Sequence, residues 1–115
     1  MSHKIMHIVG NRPQFIKLAP VSRVIRKRGY EEIIIHTGQH YDEYMSNIFF
    51  EELNIPFPKV NLNAGSGTHA QVTAKIISQL EEAVINESPD AIVIYGDTNT
   101  TLAAAIVVSK LNIPL

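Results

Sequence analysis

Three short runs rich in isoleucine and valine, each stopped by a glycine, limit what this chain can become. They are Ile5 to Val9 before Gly10, Ile33 to Ile35 before Thr37-Gly38, and Ala91 to Tyr95 before Gly96. Residues apolar at consecutive positions, without alternation, belong to strands covered on both faces. Val60 and Leu62, ahead of Ala64-Gly65, make a shorter and weaker candidate. Between these runs the pattern changes to a helical period. Phe15, Leu18, Val21, Val24 and Ile25 share one face, and Gly29 is placed to stop that helix. Tyr41 to Leu53 reads as a second helix, ended by Asn54 and Pro56. Val72, Ile76, Leu80 and Val84 mark a third, from near Thr68 to just before Pro89. Leu102 to Leu111 makes a fourth that is apolar nearly all round and is expected to pack tightly on a sheet.

The order β-α-β-α-β-α-β-α, with right-handed crossovers, predicts an α/β fold with a doubly wound parallel sheet of the Rossmann kind. A chain of 115 residues holds one such core and not two. At Asn112-Ile113-Pro114-Leu115 a turn is followed by the bare beginning of another strand, so residues 1–115 read as a truncated domain, the plainer alternative being a complete small domain with a frayed tail. Ten Lys and Arg against eleven Asp and Glu give a formal charge of −1, which offers no basic field to nucleic acid or to an anionic membrane. The absence of cysteine removes disulfides, thiolate metal sites and cysteine nucleophiles. The opening Met1-Ser2-His3-Lys4 is too polar for a secretory signal, and no apolar run approaches the roughly 20 residues of a membrane-spanning helix. The expectation is a soluble cytoplasmic protein.

Ligands of open α/β sheets bind beyond the carboxyl ends of the strands. The first such end is Gly10-Asn11-Arg12-Pro13-Gln14-Phe15-Ile16-Lys17. Gly10 permits a sharp turn and a close ligand, Pro13 suits a first helical turn, and free amides with Arg12 and Lys17 favour an anion such as phosphate. The plainer reading is a helix start with two solvated cations. Neither a Walker loop nor a Gly-x-Gly-x-x-Gly fingerprint is present, so NAD binding has no support. The second end is Thr37-Gly38-Gln39-His40-Tyr41-Asp42, where His40 is a ligand contact, a proton carrier or a cap for the next helix. The third is Tyr95-Gly96-Asp97-Thr98-Asn99-Thr100-Thr101, where Asp97 serves as an N-cap or as a catalytic acid or base. His7 and His36 lie inside strands and read as structural. No spacing of histidines and carboxylates makes a metal site, and no Gly-x-Ser-x-Gly elbow is present.

Together the three motifs, the last continuing through Leu102-Ala103-Ala104-Ala105, resemble the non-hydrolysing UDP-N-acetylglucosamine 2-epimerase family. The resemblance implies one half of a two-domain GT-B arrangement, with the active site in the cleft between domains and a homodimeric parent. It implies interconversion of UDP-N-acetylglucosamine and UDP-N-acetylmannosamine by elimination and re-addition of UDP, feeding surface polysaccharides, with no metal or other cofactor. Arg12 and Lys17 would contact the nucleotide diphosphate beside the Gly10 turn. Asp97 would serve the proton chemistry, and Gln39 and His40 would match a second, regulatory UDP-sugar site. The family commonly reads Gly-Thr-Arg-Pro-Glu where this chain has Gly10-Asn11-Arg12-Pro13-Gln14, so a carboxylate is replaced by an amide. The family's His-Val-Glu-Ala-Gly-x-Arg segment and second domain are not in the sequence, so the chain by itself is expected to be inactive. The competing readings are a hydrolysing epimerase or GT-B glycosyltransferase, and a non-catalytic module that binds nucleotide sugars. A phosphoacceptor receiver domain is disfavoured, because Gly10-Asn11-Arg12 stands where its acidic pair belongs.

Overall fold

The computed structural model describes residues 3–38, 47–65, 67–96 and 98–115. Strands and helices alternate as β1 (Lys4–Val9), α1 (Arg12–Lys27), β2 (Glu31–His36), α2 (Asn47–Leu53), β3 (Val60–Asn61), α3 (His69–Glu87), β4 (Ala91–Ile94) and α4 (Asn99–Ser109). The strands form one parallel sheet in the order β3-β2-β1-β4. The doubly wound α/β architecture expected from the sequence is the one observed. The expected helix from Tyr41 to Leu53 is present over Asn47–Leu53, and its earlier part lies outside the described residues.

Successive side chains of a strand point to opposite faces, so each strand feeds two layers. Met6, Ile8, Ile33, Ile35 and Ile92 face α3 and α4, where they meet Ile76, Leu80, Val84, Ala104 and Val108. Val9 and Ile34 face the other way, toward Phe15, Leu18 and Ala19 of α1 and Phe50 of α2. Truncating a side chain such as fully buried Leu80 to alanine removes about 2–5 kcal/mol.

Helix ends follow local chemistry. The Asn11 side chain accepts from the Gln14 amide and caps α1, whose first turn holds Pro13. At the other end Gly29 takes φ +80° and the Tyr30 amide donates to the Ile25 carbonyl. Thr68 and Gln71 form a reciprocal capping box at the start of α3. Beyond α4 the Ile92 amide donates to the Pro114 carbonyl at 2.9 Å, so the last residues run beside β4.

Two expectations need correction. The α1 stripe of Phe15, Leu18, Val21, Val24 and Ile25 is rotated in the fold. Gln14, Phe15, Leu18, Ala19 and Ser22 are buried, whereas Val21 and Val24 are 37% and 52% exposed. The sheet surface beneath α1 carries His7 and Glu32, and those polar groups draw Ser22 inward where periodicity favoured valine. The second correction concerns α4, which begins at Asn99 and ends at Ser109. It packs by Thr100, Ala103, Ala104, Val107 and Val108 and leaves Leu102 and Ile106 at 56% and 42% exposure, so only one side of this apolar helix lies against the protein.

Candidate functional site

The chain runs outward from β1 to β2 on one side and reaches β4 on the other. The gap between β1 and β4 is therefore the topological switch point, where a doubly wound sheet opens a crevice. The ends of β1, β2 and β4 and the starts of α1 and α4 meet there.

Gly10 ends β1 and is buried. It does not take a positive φ, so conformational freedom does not explain it. A Cβ at this position would lie 2.2 Å from Thr100 Oγ1 and 2.8 Å from Thr37 Oγ1. Those hydroxyls are hydrogen-bonded to each other at 2.9 Å. The missing side chain thus makes room for α4 to close over β1, a packing reason in place of the expected sharp turn. Gly38 differs: it takes φ +73°, and a Cβ there would meet the Asn63 backbone at 2.9 Å. That close approach lets the Gly65 amide donate to the Gly38 carbonyl at 3.0 Å, extending the pairing of β2 with β3.

Gln14 is 2% exposed and joins the two walls of the crevice. Its Oε1 accepts from the Gly10 amide at 2.7 Å. Its Nε2 donates to the Tyr95 carbonyl at 2.6 Å and to Thr98 Oγ1 at 3.0 Å. Thr101 Oγ1 also donates to the Tyr95 carbonyl, at 2.7 Å. With its hydroxyl engaged by Gln14, Thr98 makes no side-chain cap for α4. His69 Nδ1 and Asn99 Nδ2 lie 3.0 Å apart and link the starts of α3 and α4.

A second polar group lies below, between the sheet and α1. His7 Nε2 meets Glu32 Oε2 at 2.8 Å, and His7 Nδ1 meets the Tyr95 hydroxyl at 2.9 Å. Ser22 Oγ donates to Glu32 Oε1 at 2.8 Å. Burial, reinforced by the Glu32 carboxylate, pushes the Tyr95 phenol well above its ordinary range and keeps it protonated. His36 sits edge-on to Phe15 with ring centroids 5.3 Å apart. Its Nε2 is buried and finds no hydrogen-bond partner among the described residues. Burial holds this imidazole below the usual histidine range, opposed by a backbone hydrogen bond with Gly10. His7 and His36 are thus parts of the framework, as their strand positions indicated.

Of the residues singled out in the sequence, Arg12 is the first residue of α1 and exposed, and Lys17 is exposed further along the same helix. Five residues of helix place their Cα atoms about 140° apart around the axis, so the two cations depart α1 in different directions. Asp97, Gln39 and His40 lie outside the described residues. The residues that the fold gathers are Gly10, Gln14, Thr37, Tyr95, Thr98 and Thr100. Sequence reasoning passed over the bridging role of Gln14. Its clue was an amide on the inner side of a first helical turn, facing a hydroxyl-rich strand end. No group of three or more His, Asp or Glu among the described residues is placed to hold a metal ion. No helix among them is long and apolar enough to cross a membrane.

A family model described as UDP-N-acetylglucosamine 2-epimerase matches residues 23–115. The chain belongs to the UDP-N-acetylglucosamine 2-epimerase family. A UDP-N-acetylglucosamine 2-epimerase homolog of Methanococcus maripaludis is 59% identical over 112 residues, which is 97% of this chain and 31% of that protein. The UDP-2,3-diacetamido-2,3-dideoxy-D-glucuronate 2-epimerase of Pseudomonas aeruginosa is 48% identical over 113 residues, covering 97% of this chain and 32% of its own length. The crystal structure of Methanocaldococcus jannaschii UDP-GlcNAc 2-epimerase in complex with UDP-GlcNAc and UDP matches with a TM-score of 0.89 at 53% identity, over 96% of this chain and 30% of that one. The chain thus spans about 30% of the length of these epimerase-family relatives.

Proposed function

We propose that this chain supplies one wall of a nucleotide-sugar 2-epimerase that interconverts UDP-N-acetylglucosamine and UDP-N-acetylmannosamine. The observation that carries the reading is the match, at a TM-score of 0.89, to an epimerase structure holding UDP-GlcNAc and UDP. In this reading the chain is the N-terminal Rossmann-like half of a GT-B pair. The C2 proton is removed and the C1–oxygen bond to UDP breaks, leaving a 2-acetamidoglucal. UDP then returns to C1 as a proton is delivered to the opposite face of C2. Asp97 is proposed as one acid or base for the C2 proton. Arg12, at the start of α1, is proposed to stabilise the charge gathering on departing UDP, with Lys17, which leaves the helix on another side, reaching back to the same diphosphate through its long side chain. Gln39 and His40 are proposed to line a second, regulatory UDP-sugar site. The working form is proposed to be a cytoplasmic homodimer that feeds surface-polysaccharide synthesis.

The test is product analysis with the complete gene product in deuterium oxide. UDP-N-acetylglucosamine should yield the mannosamine nucleotide with deuterium at C2, and Asp97→Asn and Arg12→Ala should suppress both. The 115-residue chain alone should bind UDP weakly and turn nothing over. Release of free sugar would identify a hydrolase instead, acceptor-dependent transfer a glycosyltransferase, and binding without turnover a passive module. The 48% identity to the Pseudomonas aeruginosa protein favours a second reading, the same C2 chemistry on a UDP-2,3-diacetamido uronate. The ratio of kcat/KM for the two sugars decides between them.

A further inference from the structure

We infer that His69 is a ligand-binding residue whose Nε2–H donates to a phosphate oxygen of the nucleotide diphosphate, from the α4 side of the crevice. The inference deepens the epimerase reading and rests on it. His69 is the first residue of α3 and exposed, and Asn99 is the first residue of α4. The Asn99 amide nitrogen can only donate, so His69 Nδ1, 3.0 Å away, accepts. That bond fixes the tautomer, because the ring proton then sits on Nε2, the nitrogen that does not meet Asn99. It also fixes the place, because α4 starts at the crevice between β1 and β4. The ring does not serve its own helix, whose start is closed by the capping box of Thr68 and Gln71. Nor does it serve a carboxylate. His3 lies beside Asp90 and His7 beside Glu32, while His69 forms no ion pair among the described residues.

The surroundings favour an anion. Helices α3 and α4 share one face of the sheet and start side by side, which brings their positive dipole ends together. Neither first turn holds an acidic residue. Thr98 does not close the start of α4, because its hydroxyl is engaged by Gln14. An imidazole N–H held beside two helix starts is suited to an oxyanion. On the opposite wall Arg12 opens α1, so a diphosphate in the crevice meets a cation from one layer and the His69 N–H from the other. Departing UDP gathers charge as the C1–oxygen bond breaks, and a donor already in place binds it more strongly as that charge grows.

The experiment measures Kd for UDP and for uridine by titration calorimetry in the complete gene product, with His69→Asn and His69→Gln beside wild type. Asparagine still offers Asn99 an acceptor at the Nδ1 position but is too short to reach the phosphate. Glutamine carries its amide to the neighbourhood of Nε2 and restores a donor there. His69→Asn should bind UDP about tenfold more weakly, the loss of one hydrogen bond to a charged group, and bind uridine as wild type does. His69→Gln should stay within about threefold of wild type for UDP. Both variants should melt with wild type, since the residue is exposed. A His69→Asn affinity for UDP within about threefold of wild type overturns the inference, and so does an equal loss for UDP and uridine. A larger loss in His69→Gln than in His69→Asn also overturns it, because it marks a role confined to holding Asn99. Each of these leaves the epimerase reading intact, which product analysis of wild type tests separately. A wild type that neither binds UDP nor epimerises overturns both.

Discussion

Substituting Gly10 by alanine tests the claim that packing, and not backbone freedom, demands glycine at the end of β1. The added Cβ would stand 2.2 Å from Thr100 Oγ1, 2.8 Å from Thr37 Oγ1 and 3.1 Å from Thr100 Cβ. The first distance is more than 1 Å inside the roughly 3.5 Å at which non-bonded heavy atoms sit comfortably. Neither threonine is the far end of a flexible chain, and both are buried. Relief requires α4 to move away from β1 or the hydroxyl pair to break. Overpacking of this kind costs about 3 kcal/mol, near the top of the usual range. In a domain of this size that lowers Tm by about 12 °C. Thr100→Ala alone should cost about 1–2 kcal/mol, from one lost hydrogen bond and a small void. The double variant should cost about 2 kcal/mol, because the worst overlap has gone and Thr37 is no longer tied to Thr100. Urea denaturation of the four proteins gives a coupling of about 2 kcal/mol in the relieving direction. Costs that add to within 0.5 kcal/mol would show that the two positions do not collide, and the packing argument would fail.

Further outcomes follow from the same structure. His36 has a folded-state pKa below the ordinary histidine value, so the unfolded chain takes up a proton that the folded one refuses. Stability should hold above about pH 6.5, decline as pH falls from there toward the depressed folded pKa, and level off below it. His36→Phe should flatten this slope in pH-dependent thermal melts, and an unchanged slope would assign it to another group. Glu32→Ala strands His7 Nε2 and the Ser22 hydroxyl in a buried site and should cost about 3–5 kcal/mol by urea denaturation, with Glu32→Gln costing less. Val24→Gln should change stability by no more than about 0.5 kcal/mol, because Val24 faces solvent; a loss of core size would return it to the buried stripe.

The fold was legible because isoleucine and valine runs bounded by glycine have few interpretations, and because Pro13, Gly29, Thr68 and Pro89 punctuate the helices. The face of α1 was misread for a physical reason. Periodicity assigns the interior to apolar residues, while the sheet beneath α1 presents His7 and Glu32 and calls for Ser22, and the ends of β1 and β4 present an amide and a carbonyl that call for Gln14. The start of α4 was placed three residues late because Asn99, Thr100 and Thr101 look like a polar loop, although Thr100 is buried against Gly10. At the candidate site the three strand ends were visible as motifs. The role of Gln14 was not, since it depends on partners 81 and 84 positions away that only folding brings near. Arg12 and Lys17 were noticed for their charge, which says nothing about the direction in which a helix sends them.

The brevity of β3 has a bearing on solubility. An outer strand normally offers a row of unpaired amides and carbonyls on which another chain can build. Here regular pairing with β2 covers only Val60 and Asn61, Pro56 and Pro58 precede it without amide hydrogens, and Asn63 turns the backbone left-handed at φ 53° just beyond. A would-be intruder finds only two residues of regular strand before the backbone kinks, too little straight edge to seed a fibre, so this side of the sheet is guarded by its shape.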